Sequence, residues 1–338
     1  MTLEVDLRVG ILFAVLSFAF VAAVGIGSVN VPPLDVVRII VNRSFGLGTY
    51  ENPAYMAIVW SIRLPRALSA FVVGAALAVS GAVMQSVLRN PLASSFTLGV
   101  SSGASLGAGI VIFIGFPVFS AFALPASGFI FGMGTMVLAV VLANAVDGRM
   151  ENYTIILVGM VLSLFINAIT TLMMALNRAG TEALVFWQMG SFGGQDWSTL
   201  AILAPVTAVG ILLLMRYNRE MDMLTFGEEQ AELMGVSAVR VKWILLMIAA
   251  ALTGSAIAFT GIIGFVDLVA PHVVRRLFGA KHILLIPLSA VFGGTFMMLC
   301  DLIARTIISP GGLPVGVVSA LIGAPFFAYV YFTSRKNR

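Results

Sequence analysis

The chain is poor in the residues that build water-soluble proteins. Only 10% of its 338 residues are charged, against about 25% in an ordinary soluble domain, while 60% are hydrophobic. That excludes a soluble globule and predicts an all-α integral membrane protein. The single cysteine, Cys300, excludes a disulfide framework, and two histidines, His272 and His282, leave little for a metal cage. Neither a metal nor a cofactor is expected. The three lysines, Lys242, Lys281 and Lys336, follow Val241, Ala280 and Arg335. None follows glycine, as the phosphate-cradling GxxxxGK[ST] loop requires, so any ATP energy has to come from a partner. Nothing resembling a polar linker, low-complexity tract or charge block divides the sequence. Residues 1–338 read as one transmembrane domain.

What is present is apolar length. At roughly 20 residues per helical crossing, hydropathy with glycine, proline and charge punctuation gives ten spans, near 9–29, 65–88, 96–115, 122–146, 153–176, 198–216, 240–260, 262–278, 283–306 and 314–333. The first follows Arg8 and is too long for a signal-peptide core, so it reads as a retained span. An even number of spans puts both termini on one side of the bilayer. Of the 19 basic residues, 13 fall on that side, which makes it cytoplasmic. The net charge of +4 is therefore a topology signal, and no nucleic-acid partner is expected. Two outer connections are long, 30–60 and 178–197, and 181–189 within the second could be a short surface helix. The longest cytoplasmic loop, 217–239, holds an amphipathic stretch over 226–234, where Glu228, Glu229 and Glu232 oppose Ala231, Leu233 and Met234.

Gly99, Gly103 and Gly107 recur at four-residue spacing and predict a helix face stripped of side chains for close packing. Ser101 sits in a formal match to the hydrolase nucleophile elbow, but that motif needs a strand beneath it, and a membrane enzyme built on Ser101 and His272 is disfavoured. Asp267 and Asp301 are the two acids placed to serve an ion-coupled transporter. Asp301 precedes Arg305 by four residues, which predicts an ion pair within one helix. Asp267 reads as an end-of-helix residue satisfied by exposed backbone, with an ion site as the alternative. His272 reads as a structural hydrogen-bonding residue.

Several separated segments converge on one family. Arg63-Leu-Pro-Arg66, Gly74-Ala-Ala-Leu-Ala-Val-Ser-Gly-Ala-Val-Met-Gln85, Arg89-Asn-Pro-Leu-Ala93 and Leu98-Gly-Val-Ser-Ser-Gly-Ala104 resemble, in order, the front half of FecCD-type permeases. Gly227-Glu-Glu-Gln-Ala-Glu-Leu-Met-Gly235, the 261–272 segment ending Ala-Pro-His272, and Leu313-Pro-Val-Gly316 onward continue the match to the C-terminus. These are the membrane subunits of type II ATP-binding-cassette (ABC) importers for iron chelates, haem and cobalamin. Two positions depart from the pattern: the family usually has glycine where Asp267 stands, and an acid where Gly312 stands.

The resemblance implies ten spans, a second permease chain (a homodimer), two cytoplasmic ATPase subunits, and an extracytoplasmic binding protein. It also implies a multi-pass location in a bacterial or archaeal inner membrane, with no ATPase of its own. Gly227, Glu228, Ala231, Leu233 and Gly235 fall in the implied ATPase-coupling helix. Asn90 and Leu92, with Asn152 and Tyr153, occupy the implied cytoplasmic gates. Arg63, Arg66 and Arg305, on the cation-poor side, are expected to meet acids of the binding protein. The implied substrate is a ferric siderophore, with cobalamin or haem as alternatives; 186–197 resembles the outer segment of the cobalamin permease.

Overall fold

The computed structural model describes residues 2–46, 50, 52–115, 120–148, 150–308 and 311–336. The elements are α1 (Thr2–Gly25), α2 (Pro33–Phe45), α3 (Pro53–Met56), a π-helical turn (Ala57–Arg63), α4 (Leu64–Val87), α5 (Val100–Ile114), α6 (Ser120–Asp147), α7 (Asn152–Leu176) and α8 (Arg178–Gln188). They continue with α9 (Trp197–Arg216), α10 (Asn218–Leu224), α11 (Glu228–Leu233), α12 (Ala238–Thr260), α13 (Val266–Phe278), α14 (His282–Ile307) and α15 (Val315–Lys336). Among the described residues the chain is helical throughout, with no strand. Seven helices are long and apolar enough to cross a membrane alone, while Val100–Ile114 and Val315–Tyr329 are shorter apolar helices. This is a multi-pass membrane protein.

Helix α4 is the hub, buried along nearly its whole length between α14, α12, α13 and α9. Its composition explains this. With little hydrophobic drive between helices inside lipid, association depends on small residues that let backbones approach. A Cβ on Gly74 would meet the Gly293 carbonyl and Met297, and one on Gly293 would meet Gly74 and Ala78, so α4 and α14 cross glycine on glycine. On another face of α4, Ser80, Ser95 and Thr253 close a ring of hydroxyl contacts at 2.7–2.9 Å. Ser80 is placed in it by donating to the Ala249 carbonyl of α12 at 2.8 Å.

Two expected spans are shorter than their apolar runs. Helix α13 begins at Val266 rather than 262, after a non-helical stretch at 261–264, and its 13 residues rise about 20 Å, less than the roughly 30 Å hydrocarbon core. Helix α5 begins at Val100, behind a chain of tight turns. Non-helical backbone is tolerated at membrane depth where protein covers it, and the flanking Ser94, Ser95, Ile263 and Val266 are buried. The 30–60 connection, expected as a long outer segment, contains α2, whose Val36 and Ile39 are buried.

The glycine series meets α6. A Cβ on Gly103 would strike the Phe131 carbonyl and the Thr135 hydroxyl, and one on Gly107 would lie 2.5 Å from the Ser127 carbonyl oxygen. Gly99 is the residue before α5 rather than part of it.

Candidate functional site

The loop 217–239 folds as two short helices, α10 and α11, packed beneath the α4, α9, α12 and α14 ends on the side where the chain begins. Helix α11 is flanked by Gly227 at φ 122° and Gly235 at φ 87°, backbone angles that side chains resist, so glycine at both ends defines this six-residue turn. Ala231 points inward and is fully buried. Leu233 points outward at 89% exposed, and Phe226 and Met234 are exposed beside it. Large apolar side chains left exposed together on a short, otherwise polar loop mark an interaction surface.

Both helices of the loop are tied inward by polar contacts. On α10, Asp222 Oδ1 lies 2.6 Å from His282 Nδ1, and accepts from the His282 backbone N–H at 3.1 Å. His282 Nε2 lies 2.7 Å from Ser86 Oγ at the end of α4. Ser86 in turn accepts from Arg275 at 3.0 Å, and Arg275 also donates to Gln85 and to the Ala82 carbonyl. This chain joins the loop to α4, α13 and α14. On α11, Glu228 accepts from Lys242, a fully buried lysine one turn into α12. Lys242 Nζ also donates to Asn152 Oδ1 at 2.7 Å and to the Met150 carbonyl at 3.0 Å. Asp147 holds the same α6–α7 turn by accepting from the Met150 N–H at 2.7 Å and the Glu151 N–H at 3.2 Å.

The structure thus joins two residues that the sequence placed in different roles, Glu228 of the loop and Asn152 of the α6–α7 turn. Lys242, which joins them, was missed. The signal was faint, since Arg240 stands two residues before it and both read as cations at the end of the span over 240–260. Tyr153, next to Asn152, is exposed. Asn90 folds its side chain over its own turn, its Oδ1 accepting from the Leu92 N–H at 2.9 Å, while Leu92 stays exposed.

The three arginines expected to meet a binding protein are otherwise engaged. Arg63 is 5% exposed and donates to the Val24, Gly25 and Val29 carbonyls at 3.2, 2.7 and 2.6 Å. It caps the end of α1, where helix carbonyls lack intrahelical partners. Arg66 grips Asp301 with both arms of its fork at 2.7–3.1 Å. Arg305 donates to the Ala23 carbonyl and lies 3.7 Å from Asp301. The expected Asp301–Arg305 pair is therefore present but secondary. The docking expectation is corrected for Arg63: its side chain is buried and its donors are taken by the α1 end.

Asp267 lies buried in the first turn of α13, as an end-of-helix residue, with the Ser94 side chain and the backbone N–H groups of Asp267 and Leu268 turned towards its carboxylate, none of them closing to a full hydrogen bond. What is held is its backbone: the carbonyl accepts from Gln85 Nε2 at 3.2 Å, and a Cβ on Gly81 would collide with it. His272 packs edge-on against Phe327, with ring centroids 6.1 Å apart, and makes no side-chain hydrogen bond among the described residues. Ser101 and His272 stand on different helices, and no hydrogen bond joins them among the described residues. Gly312 sits at φ 68°, its N–H donating to the Ile308 carbonyl at 2.6 Å, a left-handed conformation that glycine adopts more readily than a residue with a side chain.

Segment 186–197 knits the opposite end. The Gly190 carbonyl accepts from Val315 at 3.0 Å, and Ser191 donates to the Thr260 carbonyl at 2.7 Å. At its end Asp196 caps α9, and the donors of Ser198 and Thr199 hold its carboxyl below the usual range. Halfway along α7, Asn167 is exposed amid exposed Leu164, Phe165 and Leu172. An exposed amide at that depth cannot face lipid without a cost of several kcal/mol for its unsatisfied groups.

The model of the FecCD transport family matches residues 15–333. The chain is 40% identical over 329 residues to the ABC transporter permease protein YvrB of Bacillus subtilis (strain 168), covering 96% of this chain and 93% of that one. It is 39% identical over 281 residues to the cobalamin import system permease protein BtuC of Halobacterium salinarum (strain ATCC 700922 / JCM 11081 / NRC-1), covering 81% and 73%. Among solved structures, an inward-facing conformation of a metal-chelate type ABC transporter aligns with a TM-score of 0.84 at 30% identity, covering 95% of this chain and 97% of that one.

Proposed function

The chain belongs to the FecCD transport family, and on that premise we propose that it is the permease subunit of an ABC importer that carries a metal chelate inward, a ferric siderophore first and cobalamin or haem as alternatives. Two copies enclose the pathway, two ATPase subunits dock on the cytoplasmic side, and a binding protein delivers the chelate to the opposite face. Both termini are cytoplasmic, ten segments cross the inner membrane, and ATP is hydrolysed by the partners. The chelate class is supported by the metal-chelate transporter that this chain resembles, and the cobalamin alternative by its similarity to the halobacterial permease.

The observation that carries this reading is the loop surface. Phe226, Leu233 and Met234 expose apolar area outside the membrane, while Ala231 and Glu228 fix α11 from behind. That is a rigid knob presented to a soluble partner, which is what force transmission from an ATPase needs. Asn167 supports the pathway, because two α7 faces meeting across a dimer would give its amide water.

Co-purification tests the surface. Leu233→Arg places a charge at a position 89% exposed, so folding is unaffected, and the tagged permease is expected to lose its co-expressed ATPase subunits. Retention of the ATPase at wild-type ratio by Leu233→Arg and by Phe226→Arg would sink the docking assignment.

A further inference from the structure

We propose that Lys242 is a positioning residue that joins the ATPase-docking helix to the α6–α7 turn, so that α11 and the turn move as one body. The inference rests on the importer reading and adds the element that carries motion from the dock to the membrane helices.

Three groups converge on one ammonium: the Glu228 carboxylate from α11, the Asn152 Oδ1 from the start of α7, and the Met150 carbonyl from the turn before it. A lysine ammonium has three donors, and all three are used. Lys242 is 0% exposed, whereas the Glu228 side chain is 28% exposed. An isolated buried ammonium is strongly disfavoured, so the site persists only while its acceptors stay in place. Moving α11 without the turn, or the turn without α11, would strand the charge. That penalty makes the two elements a unit.

The turn is shaped to receive it. Met150 lies at φ 53°, a left-handed angle uncommon outside glycine, which aims its carbonyl at Lys242, and Asp147 fixes this conformation through the Met150 and Glu151 N–H groups. Arg89, also at positive φ, begins the other turn, and its guanidinium lies near Gly227. Both turns that the sequence marked as gates therefore approach the N-terminal end of α11, and Lys242 bonds one of them directly. Hydrophobic packing would hold these elements together without requiring register. Three hydrogen bonds from one charged atom demand it.

Paired spin labels read the tether. Labels at Glu151→Cys and Glu229→Cys, both exposed positions, in a Cys300→Ser background, are measured by pulsed electron resonance on the permease in lipid nanodiscs. With labelled permease diluted into unlabelled permease so that only distances within one protomer are read, the wild-type contacts are expected to give one narrow distance. Lys242→Met, which fills the same volume without charge, is expected to raise the population of a second, longer distance about tenfold, equivalent to about 1.4 kcal/mol. Lys242→Arg, which keeps the donors, is expected to restore the narrow distribution. A single label at 151 is then followed as ATP is added to the permease with its ATPase bound. Its response is expected to vanish in Lys242→Met while a label at 229 still responds. An unchanged distance distribution in Lys242→Met, or an undiminished response at 151, would overturn the proposal. Should Lys242→Met fail to fold, Glu228→Ala removes the same contact from the α11 side and is read by the same criteria. If the ATPase does not bind the wild-type permease, the importer reading fails, and the distance measurement still decides on the tether.

Discussion

Asp301 of α14 accepts two hydrogen bonds from Arg66 Nε and one from Nη2, at 2.7–3.1 Å, joining positions 235 residues apart in sequence. Asp301 is nearly buried, so this pair binds α4 to α14 near the end of α1, where Arg63 and Arg305 cap the carbonyls of residues 23–25 and 29. The arrangement gives these arginines a structural reason to stand on the cation-poor side.

Removing Arg66 should therefore destabilise the permease. Arg66→Ala leaves Asp301 with only the 3.7 Å approach of Arg305, and the expected loss is about 3 kcal/mol. The double variant Arg66→Met/Asp301→Leu removes both charges and is expected to recover most of it, since apolar replacement of a buried pair is often neutral. Thermal unfolding in detergent checks both. A wild-type transition for Arg66→Ala would return Arg66 to a surface role.

Asn167 should be wet. In a Cys300→Ser background, Asn167→Cys is expected to react with a membrane-impermeant maleimide about tenfold faster than Phe18→Cys, an exposed α1 position set against lipid, because the reactive thiolate forms in water and not in hydrocarbon. Equal, slow labelling at both would place α7 against lipid instead of a pathway.

Asp267 should be dispensable for energy coupling. Its buried carboxylate closes no full hydrogen bond, so Asp267→Asn removes a burial penalty at little cost in bonding. The variant is expected to unfold at the wild-type temperature or above it and to retain ATP-driven uptake. Loss of uptake with normal ATPase binding would revive an ion-coupled mechanism.

The helices were legible because apolar length and glycine or proline breaks are local properties. The short helix at 181–189 and the amphipathic turn at 226–234 were read from the same local signals, and they fold as α8 and α11. Their inward and outward faces were less clear: Ala231 and Leu233 read alike in sequence, yet one is fully buried and the other almost fully exposed. What escaped the sequence was long-range pairing. Asp301 was matched to Arg305 because that neighbour is four residues away, whereas its stronger partner, Arg66, meets it only through the glycine crossing of α4 and α14. Lys242 was read as one of the cations that mark the cytoplasmic side and was set aside as a phosphate-binding lysine. Its acceptors lie 14, 90 and 92 residues away, a separation that no window over the sequence detects.

Reconstituted uptake tests the importer account most directly. Proteoliposomes holding the permease with its ATPase subunits, supplied outside with the binding protein and radiolabelled ferric siderophore or cobalamin, are assayed with ATP sealed inside. Accumulation of one of these chelates is expected only when ATPase, ATP and binding protein are all present, and it should persist after ionophores collapse the proton and sodium gradients. Uptake by the permease alone, driven by an imposed ion gradient and indifferent to ATP, would contradict the account.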